Sequence, residues 1–338
     1  MTAAYRPAWP QVEAMLDGIL ARRYYTNHGP LAQELEARLA EAYAIRHAVA
    51  VTNPAIALIM ALEALGLRGA VALSALAPLG WAQAVAWAGL TPLFCDVDAD
   101  AFGLTAATAG AGLTPEASAI LAGPADARGG LAALAVTHSL ALIAEGAPAA
   151  GHKVGLLALP GLGDDAGAVC LLTDDDALAA RLRNIRSSYG AGHPVPVVRT
   201  ANGRLSEVQA AMSLLSLEAA DAAAAHAAAV LAAYRAGLPD LPVLDRGSVA
   251  AVILPFPEPQ VRHDDAGTGA ASQTGALARL HGAGWPARAP SPLQARTAGC
   301  ANAAAFAARA VLLPVGPSIT EAAATAMCAA LAGRTFGS

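Results

Sequence analysis

Lysine is almost missing from this chain: among 338 residues Lys153 is the only one, and the remaining basic groups are arginines scattered along the sequence. Charge of any sign is scarce at 14%, and it leans acidic, with 26 Asp and Glu against 21 Lys and Arg, a net charge of -5. Phosphate backbones and anionic lipid surfaces are held mainly by clustered Lys and Arg, so neither nucleic acid nor a membrane surface is an expected partner. Aromatics are only 4% although 56% of residues are hydrophobic. Much of that share is alanine, which buries little area per residue, so the core has to be packed from many small contacts. The four cysteines (Cys95, Cys170, Cys300, Cys328) lie far apart without a C-x-x-C pair, which speaks against a zinc knuckle or a disulfide scaffold and for buried thiols. The eight histidines, among them His28, His138, His152 and His193, are too dispersed to propose a metal site. The opening MTAAYRPAWPQVEAML has aromatic and charged residues where a signal peptide needs an apolar run, which gives a cytoplasmic expectation. The stretch Gly69–Cys95 carries no charge, but Pro78 and Pro92 interrupt it and its pattern is short strands around an alanine-rich helix, not a membrane span.

What is present is alternation. Apolar residues recur at helical spacing over Leu31–Ala44, with Glu34, Glu36 and Glu41 on the other side, and His47–Thr52 then reads as a strand. Helices follow at Ala55–Leu65, Leu79–Ala88 and Leu131–His138, interleaved with strands at Ala70–Leu73, Pro92–Val97, Ala117–Leu121, Ala141–Glu145 and Gly167–Thr173. Asp174–Asp176 mark the start of a helix running through Arg181, Arg183 and Arg186. The pattern predicts an α/β fold with a buried, mostly parallel sheet. A long helix from Ser206 toward Tyr234 is expected to bridge to a smaller α+β C-terminal domain, with strands at Val249–Leu254 and Ala310–Val315, a polar loop at Glu258–Gly269, and helices at Thr274–Gly282 and from Ile319. The expected division is an N-terminal arm or helix over 1–23, a large domain over 24–220 and a small domain over 221–338.

Several segments, in order, are NHGPLAQELEARLAEAYAIRHAVAVTN at 27–53, AGLTPLFCDVD at 88–98, HSLALIAEGA at 138–147, DDALAARLRNIRSSYG at 175–190, GRLSEVQAAM at 203–212 and LLPVGPSIT at 312–320. They resemble the DegT/StrS family of pyridoxal-phosphate (PLP) nucleotide-sugar aminotransferases, from about Tyr24 to the last helix. The resemblance implies a PLP-transferase type I (aspartate aminotransferase-like) fold, a dimer, and a coenzyme held at the subunit interface.

Transamination on PLP needs a lysine amine for the Schiff base and the proton shuttle. The family places it shortly before a Gly-Gly-Ala-Val strand, where this chain reads LLALPGLGDDAGAV (156–169), shorter and without lysine. Lys153 lies earlier, in a turn similar to the family's Gly-Arg-Lys-Val-Gly; it is either a solvated turn lysine or an unusual Schiff-base residue. The family's ring-nitrogen aspartate, in Glu-Asp-Ala-Ala-Gln, matches Gly146, with Glu145 before it expected on the opposite face of the strand. In the phosphate cradle the family's Gly-Thr becomes Pro54-Ala55 after Asn53, removing an N–H and a hydroxyl, and a serine aligns near Leu157. The ring-stacking aromatic aligns with Pro78; Trp81, one turn on, either packs or approaches the site. Asn202 matches an asparagine that reaches the partner's phosphate, or is a loop residue; Arg204 and Glu207 read as helix-start residues. The expectation is a pseudoenzyme without cofactor, a homodimer or a heterodimer with an active homologue, that either binds a nucleotide-sugar-like ligand in the remodelled cleft or serves assembly with an active homologue in amino-sugar or polysaccharide synthesis. The alternative is an active PLP enzyme using Lys153, or another chemistry in the cleft.

Overall fold

The computed structural model describes residues 7–148, 151–160, 166–187, 202–255, 272–290 and 299–332. They divide into two compact units, one of residues 7–98 and 103–219, the other of residues 99–102 and 220–332.

The larger unit runs α1 (Trp9–Arg22), α2 (Pro30–Ala42), β1 (His47–Val51), α3 (Pro54–Leu65), β2 (Ala70–Ser74), α4 (Leu79–Trp87), β3 (Thr91–Cys95), α5 (Ala106–Gly112), β4 (Ala117–Ala122), α6 (Arg128–Thr137), β5 (Ala141–Glu145), β6 (Val154–Pro160), β7 (Ala166–Thr173), α7 (Asp176–Arg186) and α8 (Glu207–Glu218). Its seven strands form one sheet in the order β1-β7-β6-β5-β4-β2-β3. All neighbours from β6 to β3 are parallel; β7 alone is reversed, pairing antiparallel with β1 and β6. Six strands therefore point one way, and their carboxyl ends lie together. This is the mostly parallel α/β sheet that the alternation predicts.

Small residues pack both faces. Val49, Val71, Leu73, Leu121, Ile143, Leu156 and Leu171 face α3, α4 and α7 in one core. Alternate residues face away: Ala50, Cys170 and Leu172 toward α2 and α8, and Ala72, Ile120 and Leu142 toward α5 and α6. The whole of β2 is buried, as a strand covered on two sides should be.

Two buried carboxylates fix the α2 and α8 side. Glu207, in the first turn of α8, is fully buried and accepts the N–H groups of Leu31 (3.0 Å) and Ala32 (3.1 Å) at the start of α2. It satisfies donors that a helix N-terminus otherwise leaves open. Glu36 accepts the Ala50 N–H (2.8 Å) and meets Arg186 (2.5 Å) and His28 (2.9 Å), while Arg186 donates to the Ala50 carbonyl (3.0 Å). Because β1 is an edge strand, the outward N–H and C=O of Ala50 would otherwise lack a partner.

The smaller unit comprises α9 (Ala220–Gly237), β8 (Val243–Asp245), β9 (Val249–Ile253), α10 (Gln273–Gly282), α11 (Ala301–Arg309), β10 (Ala310–Pro314) and α12 (Glu321–Leu331), its strands forming an antiparallel sheet in the order β10-β9-β8. Tyr234 of α9 is fully buried and donates to the Pro314 carbonyl (2.9 Å). Residues 99–102 belong here: the Phe102 ring stands 5.2 Å from that of Phe306.

The single helix expected from Ser206 to Tyr234 is two. The chain breaks at Ala219, whose N–H turns back to the Ser216 carbonyl (3.2 Å) in a tightened last turn. The alanine run that follows has no strong apolar stripe to hold one straight rod. The uncharged stretch Gly69–Cys95 is β2, α4 and β3, and no single described helix is long and apolar enough to cross a membrane. The polar loop expected at Glu258–Gly269 lies outside the described residues.

Candidate functional site

In an open α/β sheet the crevice for ligands lies outside the carboxyl ends of the strands. At the end of β1, Asn53 caps α3 by accepting the Ile56 N–H (3.0 Å), and Pro54 occupies the first helical position. Pro has no N–H to lose there. Of the first-turn donors only the Ala55 N–H is left without a partner among the described residues.

Beyond β2, the exposed Pro78 is the N-cap residue of α4, and Trp81 sits in the first turn of that helix, half-buried against the α3-side core. Its ring reaches across to the next strand end: a Cβ built on Gly123, just after β4, would lie 3.6 Å from Trp81 Cη2. The loop after β4 is drawn in by Asp126, which accepts the Gly123 N–H (2.6 Å) and the Leu104 N–H (2.6 Å). Arg128, opening α6, donates through Nε to the Gly123 carbonyl (3.4 Å) and through Nη2 to the Glu145 carbonyl at the end of β5.

Glu145 ends β5 on the α3 side. Its register partner is Leu156 and it stands two residues after Ile143, and both of these lie in the core on the α3 side. By the alternation of a strand, Glu145 projects to that same side. Gly146, beyond the strand end with φ 94°, contributes no side chain. A carboxylate, Glu145, therefore stands at this strand end on the face shared with α3, while Gly146, the position matched to the family's aspartate, has none. Burial pushes its carboxyl above the usual carboxylate range; Arg128 opposes the rise and Asp126 adds to it. Its carboxylate accepts no hydrogen bond from the described residues.

Asn202 is exposed with φ 45°, and its Oδ1 is held by Arg204 (2.9 Å), which also grips Asn27 (2.5 Å). The neighbouring Gly203 carbonyl accepts the Thr52 N–H (3.2 Å), bringing this segment beside the end of β1.

The other two expected site residues are elsewhere. Leu157 packs with the core on the α2 and α8 side, because Leu156 takes the α3 face. Lys153 lies at the amino ends of the strands: its N–H bonds the Leu142 carbonyl near the start of β5 (2.8 Å), and Thr173 bonds its carbonyl (2.9 Å). Three residues of strand separate Leu142 from Glu145, roughly 10 Å at about 3.3 Å per residue. Lys153 is exposed there in a cavity of about 830 Å³ with Tyr43, Arg46, Asp174, Asp175 and Asp176. Arg46 and His47 pair with Asp176, and Asp175 caps α7. The sequence reading missed Arg128 and Asp126; an Asp-x-Arg directly after a strand and a proline turn is the signal that could have pointed to them.

The profile of the DegT/DnrJ/EryC1/StrS aminotransferase family matches residues 10–158 and 163–332. The chain belongs to this family. Among curated relatives, it is 34% identical over 119 residues to the dTDP-4-amino-4,6-dideoxy-D-glucose transaminase of Escherichia coli, covering 34% of this chain and 32% of that protein. It is 31% identical over 258 residues to the L-glutamine:2-deoxy-scyllo-inosose aminotransferase of Streptomyces paromomycinus, covering 64% and 60%. The chain thus spans less than two thirds of the length of the curated relatives it matches. A solved structure of DesI in the presence of its TDP-sugar product superimposes with a TM-score of 0.81 at 26% identity, covering 98% of this chain and 92% of that one. The fold of this family member is therefore the PLP-transferase type I fold that the resemblance implies.

Proposed function

We propose that this family member has lost pyridoxal-phosphate transamination and acts by binding or assembly in nucleotide-sugar biosynthesis, in a route to amino sugars or polysaccharides. One observation carries the reading: Lys153 is the only lysine in the chain, and it sits at the end of the sheet remote from the cleft. Without an amine at the cleft there is no group to hold the coenzyme covalently or to move a proton between the reacting carbons. The phosphate end supports the same conclusion. With Pro54 lacking an N–H and Asn53 occupying that of Ile56, the start of α3 offers an anion little besides the Ala55 N–H. The residues present do not fit a covalently held coenzyme, although Glu145 would suit its ring nitrogen.

The ligand on this reading is a nucleotide sugar, and the partner is a second copy of the chain or a lysine-bearing homologue. A second reading, another chemistry in the cleft, is favoured by Glu145 alone: a half-buried carboxyl with a raised pKa in a crevice is suited to hold a proton. The test of the first reading is an amino-transfer assay with added coenzyme, glutamate and a nucleotide-linked 4-keto-6-deoxy sugar. No amino sugar should form; sustained turnover would overturn it.

A further inference from the structure

We infer that the cavity at the amino ends of β1 and β6, at the opposite end of the sheet from the crevice, binds a free α-amino acid with an apolar side chain, Lys153 taking its carboxylate and Asp174 its ammonium group.

Three chain segments line the cavity of about 830 Å³: Tyr43 to Arg46, leading from α2 into β1; Gly151 to Lys153, leading into β6; and Thr173 to Ala177, leading from β7 into α7. Small-molecule sites occupy about 300–1,000 Å³. The segments are bonded to one another. The Arg46 N–H donates to Asp174 Oδ1 (2.8 Å), Arg46 Nη2 donates to the Asp174 carbonyl, and the Thr173 hydroxyl donates to the Lys153 carbonyl (2.9 Å).

Most charge on these walls is spent internally. Asp175 caps α7 by accepting the Leu178 N–H (2.9 Å), and Asp176 takes both Arg46 (3.0 Å) and His47 (2.6 Å). Three groups keep unused capacity: the exposed Lys153 ammonium, which forms no ion pair among the described residues; Asp174 Oδ2, which accepts nothing from them; and the Tyr43 hydroxyl, which bonds none of them. Lys153 is also the one basic residue in the chain, out of 21 Lys and Arg, that is not arginine. Arg46 turns its flat fork on the protein's own Asp176, whereas an ammonium is a compact charge with three rotatable donors, suited to a single guest carboxylate.

These groups select the guest. Lys153 only donates and ionised Asp174 only accepts, so the guest brings an anionic acceptor and a cationic donor. Hydroxyl groups could meet both, but hydrogen bonds between charged groups are about twice as strong. Two cations against three carboxylates on the lining disfavour a guest of net negative charge, phosphate included. The Tyr43 ring, Ile45, Pro148 and Ala177 leave the remaining wall apolar, which suits a hydrocarbon or aromatic side chain.

Calorimetric titration of the full chain with L-phenylalanine and L-leucine tests the site, with phenylalaninamide, N-acetyl-phenylalanine, L-glutamate and D-glucose as comparison probes. At least one of the two amino acids should saturate a single site per chain, and the four comparison probes should bind at least about tenfold more weakly. Lys153→Met and Asp174→Asn should each weaken binding about tenfold or more, and Lys153→Arg should retain more affinity than Lys153→Met. Both side chains are exposed, and asparagine can still accept the Arg46 N–H, so melting curves of the variants should match the parent. Binding of neither amino acid, equal or tighter binding of glutamate or glucose, or full affinity in folded Lys153→Met and Asp174→Asn would overturn the inference.

Discussion

Three carboxylates in the larger unit differ in how their oxygens are used. Glu207 and Glu36 are saturated: the first by two N–H groups at the start of α2, the second by His28, Arg186 and the Ala50 N–H. Glu145 is half-buried and its oxygens accept nothing from the described residues. A half-buried acceptor that the scaffold leaves unfilled stays open to solvent or to a ligand. The saturated pair holds the α2 and α8 layer against the sheet; the unsaturated one marks the crevice.

The largest effect expected from breaking this contrast is at Glu36. Glu36→Ala strands the Arg186 guanidinium in the core and should cost about 3–5 kcal/mol of folding free energy, read by urea denaturation. Glu207→Ala should cost a comparable amount, because it leaves two buried N–H groups of α2 unanswered, at about 1–3 kcal/mol for each. Asn53→Ala, which removes the cap of α3, should cost about 1 kcal/mol. Glu145→Gln should stay within about 0.5 kcal/mol of the parent at neutral pH, on the stabilising side if it moves.

Glu36 and Glu145 give opposite pH slopes. For Glu36, burial resists ionisation but is outweighed by the His28 hydrogen bond, the Arg186 charge and the Ala50 N–H, so its pKa lies below the ordinary 4.5. Its contribution is present at neutral pH and is lost as pH falls through that lowered pKa. For Glu145 the pKa is raised above 4.5, first by burial. The folded state then holds its proton to higher pH than the unfolded chain, and stability falls as pH rises through the window from 4.5 to the raised pKa. The stability difference between parent and Glu36→Gln should therefore shrink in acid, and that between parent and Glu145→Gln should turn against the parent as pH rises above 4.5.

Much of the scaffold was legible in the residues. The alternation from Leu31 to Thr173 located strands such as Ala141–Glu145 to the residue, because a doubly covered strand has to be continuously apolar. The single lysine was legible as well. The face of Glu145 was not: only the packing of Ile143 and Leu156 against α3 says which parity of β5 and β6 faces that helix. The face of Leu157, toward α2 and α8, was hidden for the same reason. Arg128 escaped notice because its role depends on reaching back to carbonyls of Gly123 and Glu145 from a different element. The break at Ala219 was hidden by alanine, which favours a helix everywhere and so marks no end.

The central claim, that no amine of this chain serves the crevice, is tested most directly by borohydride reduction of the full chain with equimolar pyridoxal phosphate, followed by intact-mass and peptide mass spectrometry. The account predicts no stoichiometric pyridoxyl group on Lys153. A stoichiometric adduct there would contradict it.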